Sequence, residues 1–151
     1  MTMLTQRSLI RWSLVAALTA AAPIAQALEF LSLAEPALMF DAPSRQAKPL
    51  FIVARHTPVE LVVSLEGWIK VRDREGAIAW VEKRSLTPKK MLIATTRAEV
   101  RQQPDAAATQ VFETEKDVVL EFVETAPAGW VKVRHQDGQS GFVRVNQVWG
   151  L

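Results

Sequence analysis

Hydrophobic and polar residues alternate along short runs of this chain, and a period of two predicts β-strands. The clearest run extends from Trp130 to Arg134, where Val131 and Val133 share one face of the strand. The aromatic and basic side chains of the same run share the opposite face. Val143 and Val145 continue the apolar face on the returning strand. The pattern therefore predicts a hairpin whose valine face lies in a core.

This hairpin occurs twice in the chain. Residues 67–83 and 129–145 align without gaps at an offset of 62, and seven of the 17 aligned positions are identical. Glu75-Gly76 and Asp137-Gly138 occupy the same place in the two copies and signal a tight turn. A repeat of this length predicts two copies of one small all-β domain.

Further strand-like runs, bounded by Pro, Gly and Asp, flank both hairpins. In the first copy the predicted strands are 30–33, 37–40, 50–54, 59–65, 68–72 and 78–82. In the second copy they are 91–95, 98–101, 111–113, 118–124, 130–134 and 140–145. Residues 91–95 are apolar enough to form a buried or inter-module strand, and as an exposed edge strand they would favour aggregation. We therefore expect them to pair within the second domain.

The first 27 residues read as an export signal. Arg7 and Arg11 precede an apolar stretch over residues 12–24, and Ala25-Gln26-Ala27 supplies the small-x-small cleavage pattern. The stretch is short against the roughly 20 apolar residues of a membrane span, although an uncleaved anchor is the alternative. The prediction is a periplasmic or secreted chain of residues 28–151 with no membrane span after cleavage.

Composition narrows the function classes. Residues 28–151 carry 16 basic and 16 acidic side chains without a concentrated basic face, which disfavours nucleic acid as a partner. There is no cysteine, so packed cores rather than disulfides must hold the fold. We expect a first domain over 28–88 and a second over 89–151. Modules of about 60 residues have small cores, so mutual packing is expected as well.

The motifs of both copies resemble the bacterial Src-homology-3-like (SH3b) domain. The second copy carries Val100-Arg101-Gln102-Gln103-Pro104, then Gly129 to Arg134, then Gly141-Phe142-Val143, and it ends on Val148-Trp149-Gly150-Leu151. The first copy departs from the family pattern, with Phe40 in place of the usual Arg and Ala79 in place of the usual Gly. In the second copy, Phe142 replaces the usual second Trp.

The resemblance implies two tandem SH3-like barrels of five or six strands. In the family such modules bind cell-wall peptides or proteins, often as targeting parts of cell-wall hydrolases. No hydrolase segment is recognised within this sequence.

The face opposite the valines carries the candidate ligand-binding residues. Its aromatic members are Trp68, Trp80, Trp130 and Phe142, and its basic members are Lys70, Arg72, Lys132 and Arg134. The aromatic rings suit a platform for a peptide or glycan stem, and the cations suit the carboxylates of a peptide. Alternatively, the rings cover a barrel end or the contact between copies, and the cations form a solvated strand face.

The sequence contains no recognisable motif for catalysis or metal binding. His56 and His135 stand alone without a second ligand at metal spacing, and no serine has a Gly-x-Ser-x-Gly context. The sequence therefore predicts no catalytic residue, no metal and no cofactor.

These observations favour a non-enzymatic, exported binding module of the cell envelope that recognises a peptide-like ligand. The partner is a peptidoglycan stem peptide or an envelope protein. The alternative is a structural or accessory subunit whose aromatic faces are buried against a permanent protein partner. The sequence leaves the oligomeric state open.

Overall fold

A computed structural model describes residues 27–151, so the predicted signal over residues 1–27 lies almost wholly outside the described residues. The first half of the fold contains β1 (Phe30–Leu33), β2 (Ala37–Phe40), β3 (Pro49–Val53), β4 (Pro58–Leu65), β5 (Trp68–Arg72), β6 (Ile78–Glu82) and β7 (Leu86–Thr87). The second half contains β8 (Met91–Ala94), β9 (Ala98–Arg101), β10 (Gln110–Thr114), β11 (Val119–Ala126), β12 (Trp130–Arg134), β13 (Ser140–Arg144) and β14 (Val148–Trp149).

Three short 3₁₀ turns interrupt these strands, at Lys83–Ser85, Pro127–Gly129 and Val145–Gln147. The described part of the chain contains no α-helix, which confirms the predicted all-β fold class. Likewise, no helix between residues 27 and 151 has the length and apolar character needed to cross a membrane.

Each half forms one seven-stranded antiparallel sheet that closes into a small barrel. The strand order is β3-β2-β6-β5-β4-β1-β7 in the first sheet and β10-β9-β13-β12-β11-β8-β14 in the second. The two orders are identical after a shift of seven strands, as the duplicated hairpin predicted. The additional strand in each sheet is the two-residue β7 or β14, which is too short for alternation to reveal. As expected, β8 pairs with β11 and β14 inside the second sheet.

The valine faces of the hairpins lie in the two cores. In the second module, Val131, Val133 and Val143 are fully buried, as the alternation predicted. Each such side chain contributes about 1.5–3 kcal/mol relative to exposure. The first core is built from Leu33, Ala37, Met39, Val59, Ile69, Val71, Ala79 and Val81. The second is built from Leu92, Ala98, Val100, Leu120, Val131, Val133, Val143 and Val148.

The expectation that Val145 belongs to the core face was wrong. Strand β13 ends at Arg144, and Val145 begins a 3₁₀ turn, so the period-two geometry stops one residue earlier. The Val145 side chain is 40% exposed as a result.

The predicted turns form as three-residue loops. In the second hairpin, the Gly138 amide donates to the His135 carbonyl at 2.9 Å, and the His135 amide donates to the Gln139 carbonyl at 2.8 Å. Gly138 has a φ of 94°, a conformation that a side chain would strain. The first hairpin repeats this loop between Asp73 and Ala77.

The two modules pack against each other, as their small size predicted. The Phe30 ring of β1 meets the Trp149 ring of β14 edge-on, with centroids 4.9 Å apart. Ser32 Oγ donates to the Lys89 carbonyl at 2.6 Å, which ties β1 to the connecting segment. Gly150 passes so close to the first module that an added Cβ would lie 3.2 Å from Pro58 Cβ. The contact fixes how the two modules face each other.

Candidate ligand-binding site

The side chains that point away from each core form cross-strand rows on the outer face of the sheet. In the first module one row runs through Phe40, Trp80 and Lys70. The row at the same place in the second module runs through Arg101, Phe142 and Lys132. A second row pairs Trp68 with Glu82 in the first module and Trp130 with Arg144 in the second.

Two of the predicted cations lie against predicted aromatic rings of their own module. The Lys70 ammonium lies 5.1 Å from the centroid of the Trp80 ring, and the Lys132 ammonium lies 5.8 Å from that of Phe142. Each contact stabilises the hairpin by about 0.5–1 kcal/mol at an exposed site. The four residues therefore form two cross-strand pairs that support the hairpins themselves.

The remaining predicted cations lie beside carboxylates of the neighbouring strand. Arg72 Nη1 donates to both carboxylate oxygens of Glu60 at 3.1 Å. Arg134 Nη1 lies 3.9 Å from a carboxylate oxygen of Glu121. A peptide carboxylate would have to compete with these intramolecular partners.

Trp68 and Trp130 occupy equivalent positions but have different neighbours. Trp68 is half-buried and meets the edge of the Phe40 ring, with centroids 5.6 Å apart. Trp130 is only 5% exposed, and the Arg144 guanidinium carbon lies 4.5 Å from its ring centroid. The Trp130 ring is thus largely covered, and the guanidinium of Arg144 is the group that is accessible at this surface.

Trp130 and Arg144 line a groove of about 620 Å³ on the second module, which we term the arginine groove. Its other lining residues are Arg97, Ala98, Glu99, Arg101, Ala106, Glu113 and Gln147. Strand β9 contributes Glu99 and Arg101 by alternation, because Val100 between them is buried in the core, while Ala98 at the start of the strand is also buried and borders the groove.

Most charges in the arginine groove are paired with each other. Arg97 bonds to Glu113, and Arg101 bonds to Glu99 and, through Nη1, to the Ala108 carbonyl at 2.9 Å. The hydrogen bond that Arg97 donates to Glu113 raises the pKa of Arg97. Among residues 27–151, Arg144 has no carboxylate partner. The groove therefore presents one unpaired guanidinium beside two ion pairs.

The equivalent groove of the first module is smaller, at about 200 Å³. Arg45 donates to the two carboxylate oxygens of Glu82, a residue of its lining, from Nε at 3.0 Å and from Nη2 at 2.7 Å. The hydrogen bond from Arg45 lowers the pKa of Glu82. The second module has Ala106 at the place of Arg45, and this short side chain leaves the arginine groove open.

The edges of the two sheets have also diverged in chemistry. Leu38 lies opposite Ile52 in the first sheet, whereas Glu99 lies opposite Glu113 at the same place in the second. Leu38 is 46% exposed and Ile52 is 70% exposed. The first module therefore presents an apolar outer edge where the second presents charges.

Of the eight residues predicted to bind ligand, Trp130 alone lines the arginine groove. Trp68, Trp80 and Lys70 lie on the outer face of the first sheet, and Phe142 lies beside Arg101 outside the groove lining. Arg72, Lys132 and Arg134 lie further along their strands. The sequence reasoning missed the groove residues Arg97, Glu99, Arg101, Glu113 and Arg144. Their signal was available in the alternation of β9 and in the differences between the two copies.

Nothing in the described residues resembles a metal centre. No group of three or more His, Cys, Asp or Glu side chains is placed to hold a metal ion between residues 27 and 151. His135 Nδ1 lies 3.0 Å from Asp137 Oδ1 and its ring contacts Phe112, so it is engaged within its own module.

Comparison with known proteins gives one family. The model of a family described as bacterial SH3 domain matches residues 34–88 and again residues 94–150. No curated protein matches the chain.

Solved structures to which the chain is similar include NlpC2 and NlpC1 from Trichomonas vaginalis and an NlpC/P60 family protein from Bacillus cereus. The matches have identities of 15%, 14% and 14% and TM-scores of 0.38, 0.38 and 0.37, respectively. They cover 82%, 89% and 80% of this chain. The chain spans about half the length of these proteins, 48%, 50% and 55%.

Proposed function

Because the chain belongs to the bacterial SH3 domain family, we propose that it is an exported, non-enzymatic binding module of the cell envelope. Its ligand is peptide-like, and a peptidoglycan stem peptide fits the binding surface best. The proposal assigns binding to the arginine groove of the second module. The observation that carries it is the unpaired Arg144 guanidinium stacked on Trp130.

Arg144 suits the capture of a carboxylate. The Trp130 ring beneath the guanidinium restricts its orientation, so less conformational entropy is lost when a ligand binds. A planar guanidinium binds a carboxylate through two parallel hydrogen bonds, which are roughly twice as strong as neutral ones. A free peptide carboxylate is the complementary group.

The rest of the arginine groove fits a ligand with both signs of charge. Glu99 and Glu113 stand on neighbouring strands, and a ligand ammonium group would share their carboxylates with the paired Arg101 and Arg97. A cell-wall stem peptide carries free carboxylates together with an amino group. The mixed charge of the groove therefore favours a stem peptide over a neutral glycan.

Co-sedimentation with peptidoglycan sacculi tests the proposal. Purified residues 28–151 should pellet with sacculi, and Arg144→Ala should weaken the affinity for sacculi at least tenfold, because hydrogen bonds to a charged group contribute about 1.5–3 kcal/mol each. Lys116→Ala is the matched control, because it removes an exposed cation of the same module outside the groove. Equal binding by all three proteins would place the ligand elsewhere, and no binding by any of them would exclude the wall.

A second candidate function is supported by the apolar outer edge of the first module. Leu38, Leu50 and Ile52 are all more than 40% exposed and lie on adjacent strands. Contiguous exposed apolar surface of this kind marks contacts with other proteins. This observation favours the accessory-subunit alternative, with a protein partner seated on the first module.

Light scattering distinguishes the two functions. If the apolar edge needs a permanent partner, the purified chain should self-associate, and Ile52→Lys should suppress the association without loss of fold. Leu28→Lys is a control for an exposed apolar residue outside the edge. A monodisperse wild-type monomer would argue against a permanent partner.

A further inference from the structure

The contact between the modules has two sides related by the repeat. On one side, the turn between β10 and β11 approaches the turn between β5 and β6. Arg74 of the first module pairs there with Asp117 of the second, and Arg74 Nη1 donates to the Ala94 carbonyl at 3.3 Å. This side is closed by an ion pair whose arginine side chain is only 17% exposed.

On the other side of the contact, the equivalent turns of the two modules carry different residues from those of the ion pair. His56 takes the place of Asp117, and both adopt a left-handed conformation, with φ of 68° and 73°. Gln136 takes the place of Arg74. In the described part of the chain, no ion pair joins the two turns here. Instead, an interface cavity of about 510 Å³ lies between the modules.

The charged groups of the interface cavity are mostly basic. The first module contributes Arg55 and His56, the connecting segment contributes Lys89, and the second module contributes Glu121, Arg134 and His135. Glu121 is thus the one carboxylate of the described residues in the lining.

The carboxylate of Glu121 is shared between two of these cations. Its Oε2 lies 3.3 Å from Lys89 Nζ, and its Oε1 lies 3.9 Å from Arg134 Nη1. Asp137, outside the lining, lies beside His135. Arg55 and His56 make no ion pair with any residue in 27–151. The cavity therefore has a positive excess even with neutral histidines.

The apolar part of the lining strengthens the electrostatic attraction of these cations for an anion. Met91 is buried, and Val118 and Val119 are half-buried, so the cavity has an apolar wall beside its basic rim. Low-dielectric walls focus the electric field of nearby charges. An anion that enters is attracted more strongly than it would be on an open surface.

We infer that the interface cavity is a binding site for an oxyanion, a phosphate or a carboxylate, carried on a small, partly apolar molecule. Its volume falls within the range of about 300–1,000 Å³ that is usual for small-molecule sites. Neither module holds the site alone, because Arg55 and His56 come from the first and Arg134 and His135 from the second. The site shares no residue with the arginine groove, so it stands independently of the proposed function.

Titration of the ¹⁵N-labelled exported chain with inorganic phosphate, followed by NMR, tests the inference. The amides of His56, His135 and Gln136, which line the cavity, should shift and saturate. A parallel titration with succinate shows whether carboxylate or phosphate is preferred. Either preference supports the site.

The test variant and its control are substitutions at equivalent positions of the two repeats. Arg55→Ala combined with His56→Asn removes one guanidinium and one imidazole from the lining, and asparagine tolerates the left-handed conformation of residue 56. This variant should bind at least tenfold more weakly. Lys116→Ala changes the residue equivalent to Arg55 on the closed side and should bind as the wild type does. The inference is overturned if no amide saturates by about 50 mM of either anion, well above a millimolar Kd. Equal weakening by the control would overturn it too.

Discussion

The guanidinium of Arg144 lies over the Trp130 ring at 4.5 Å, where the first copy of the same fold pairs Trp68 with the carboxylate-bearing Glu82. Duplication has kept the tryptophan and reversed the charge beside it. The backbone positions are the same, but the side chain paired with the tryptophan has the opposite charge in the two modules.

Replacement of Arg144 separates charge from stacking. Arg144→Lys keeps the charge but loses the planar stack on Trp130, whereas Arg144→Ala loses both. We expect a stability loss of about 0.5–1 kcal/mol for the alanine variant. The affinity for a carboxylated peptide should be highest for the wild type, lower for Arg144→Lys and lowest for Arg144→Ala. Calorimetric titration and a urea melt measure the two quantities, and a lysine variant that binds as the wild type does would contradict a role for stacking.

Trp130→Ala should unfold the second module. The side chain is 5% exposed, so truncation leaves a large cavity and costs about 3–5 kcal/mol. Trp80→Ala is the comparison, because Trp80 is half-buried and should cost less. Denaturant melts followed by circular dichroism distinguish the two variants. Similar losses for both would mean that Trp130 is less important to packing than its burial indicates.

A charge on the valine face should be far more damaging than one on the opposite face. Val133 is fully buried, and Val133→Asp places an unpaired carboxylate in the second core, at a cost of about 4 kcal/mol or more. Lys132→Asp changes the adjacent residue on the outer face and should leave the module folded. Proton NMR spectra of both variants check this. A folded Val133→Asp protein would contradict the assignment of the core.

The contact between the modules should couple their unfolding. Phe30 is 9% exposed and meets the Trp149 ring across the interface. We expect differential scanning calorimetry to give one transition for the wild type and two for Phe30→Ala. Leu38→Ala truncates an exposed apolar residue of the same module and should keep the single transition. Two transitions in the wild type would show that the modules unfold independently.

The second hairpin turn should lose stability in acid. Hydrogen bonds from the Gln139 backbone and side chain, and then from His135, lower the pKa of Asp137 from 3.8 to about 2. The folded state therefore favours the ionised carboxylate, and its contribution is present above about pH 4 and lost as the pH falls towards 2.

Unfolding free energies measured across that pH range check the effect. Asp137→Ala should flatten the part of the acid slope that this group causes. Glu66→Ala is a control, because Glu66 is exposed and has no hydrogen bond or ion pair within residues 27–151. The explanation fails if Asp137→Ala and the wild type have the same slope.

The fold was readable from the sequence because its signals are local. Alternation identified twelve of the strands, and the tight turns followed from Gly76 and Gly138. The alternation also placed Val131 and Val133 inside. It failed at Val145, where the chain enters a 3₁₀ turn without any local signal.

The candidate site was predicted less well. The sequence placed aromatic and basic residues on one face, but it did not show which of them already had partners. Lys70 lies against Trp80 and Arg72 against Glu60, and both contacts come from neighbouring strands. A site depends on the groups that are left unpaired, which alternation along one strand does not reveal.

By itself, the sequence determined the duplicated all-β fold, the two cores and the composition of each outer face, because these depend on periodicity and turn chemistry within short segments. Only the tertiary structure decided that Arg144 covers Trp130, that Ala106 leaves the arginine groove open, and that His56 faces a cavity between modules. These features join residues from distant strands and from both copies. Their chemistry depends on distances that are set when the sheets close and the modules pack.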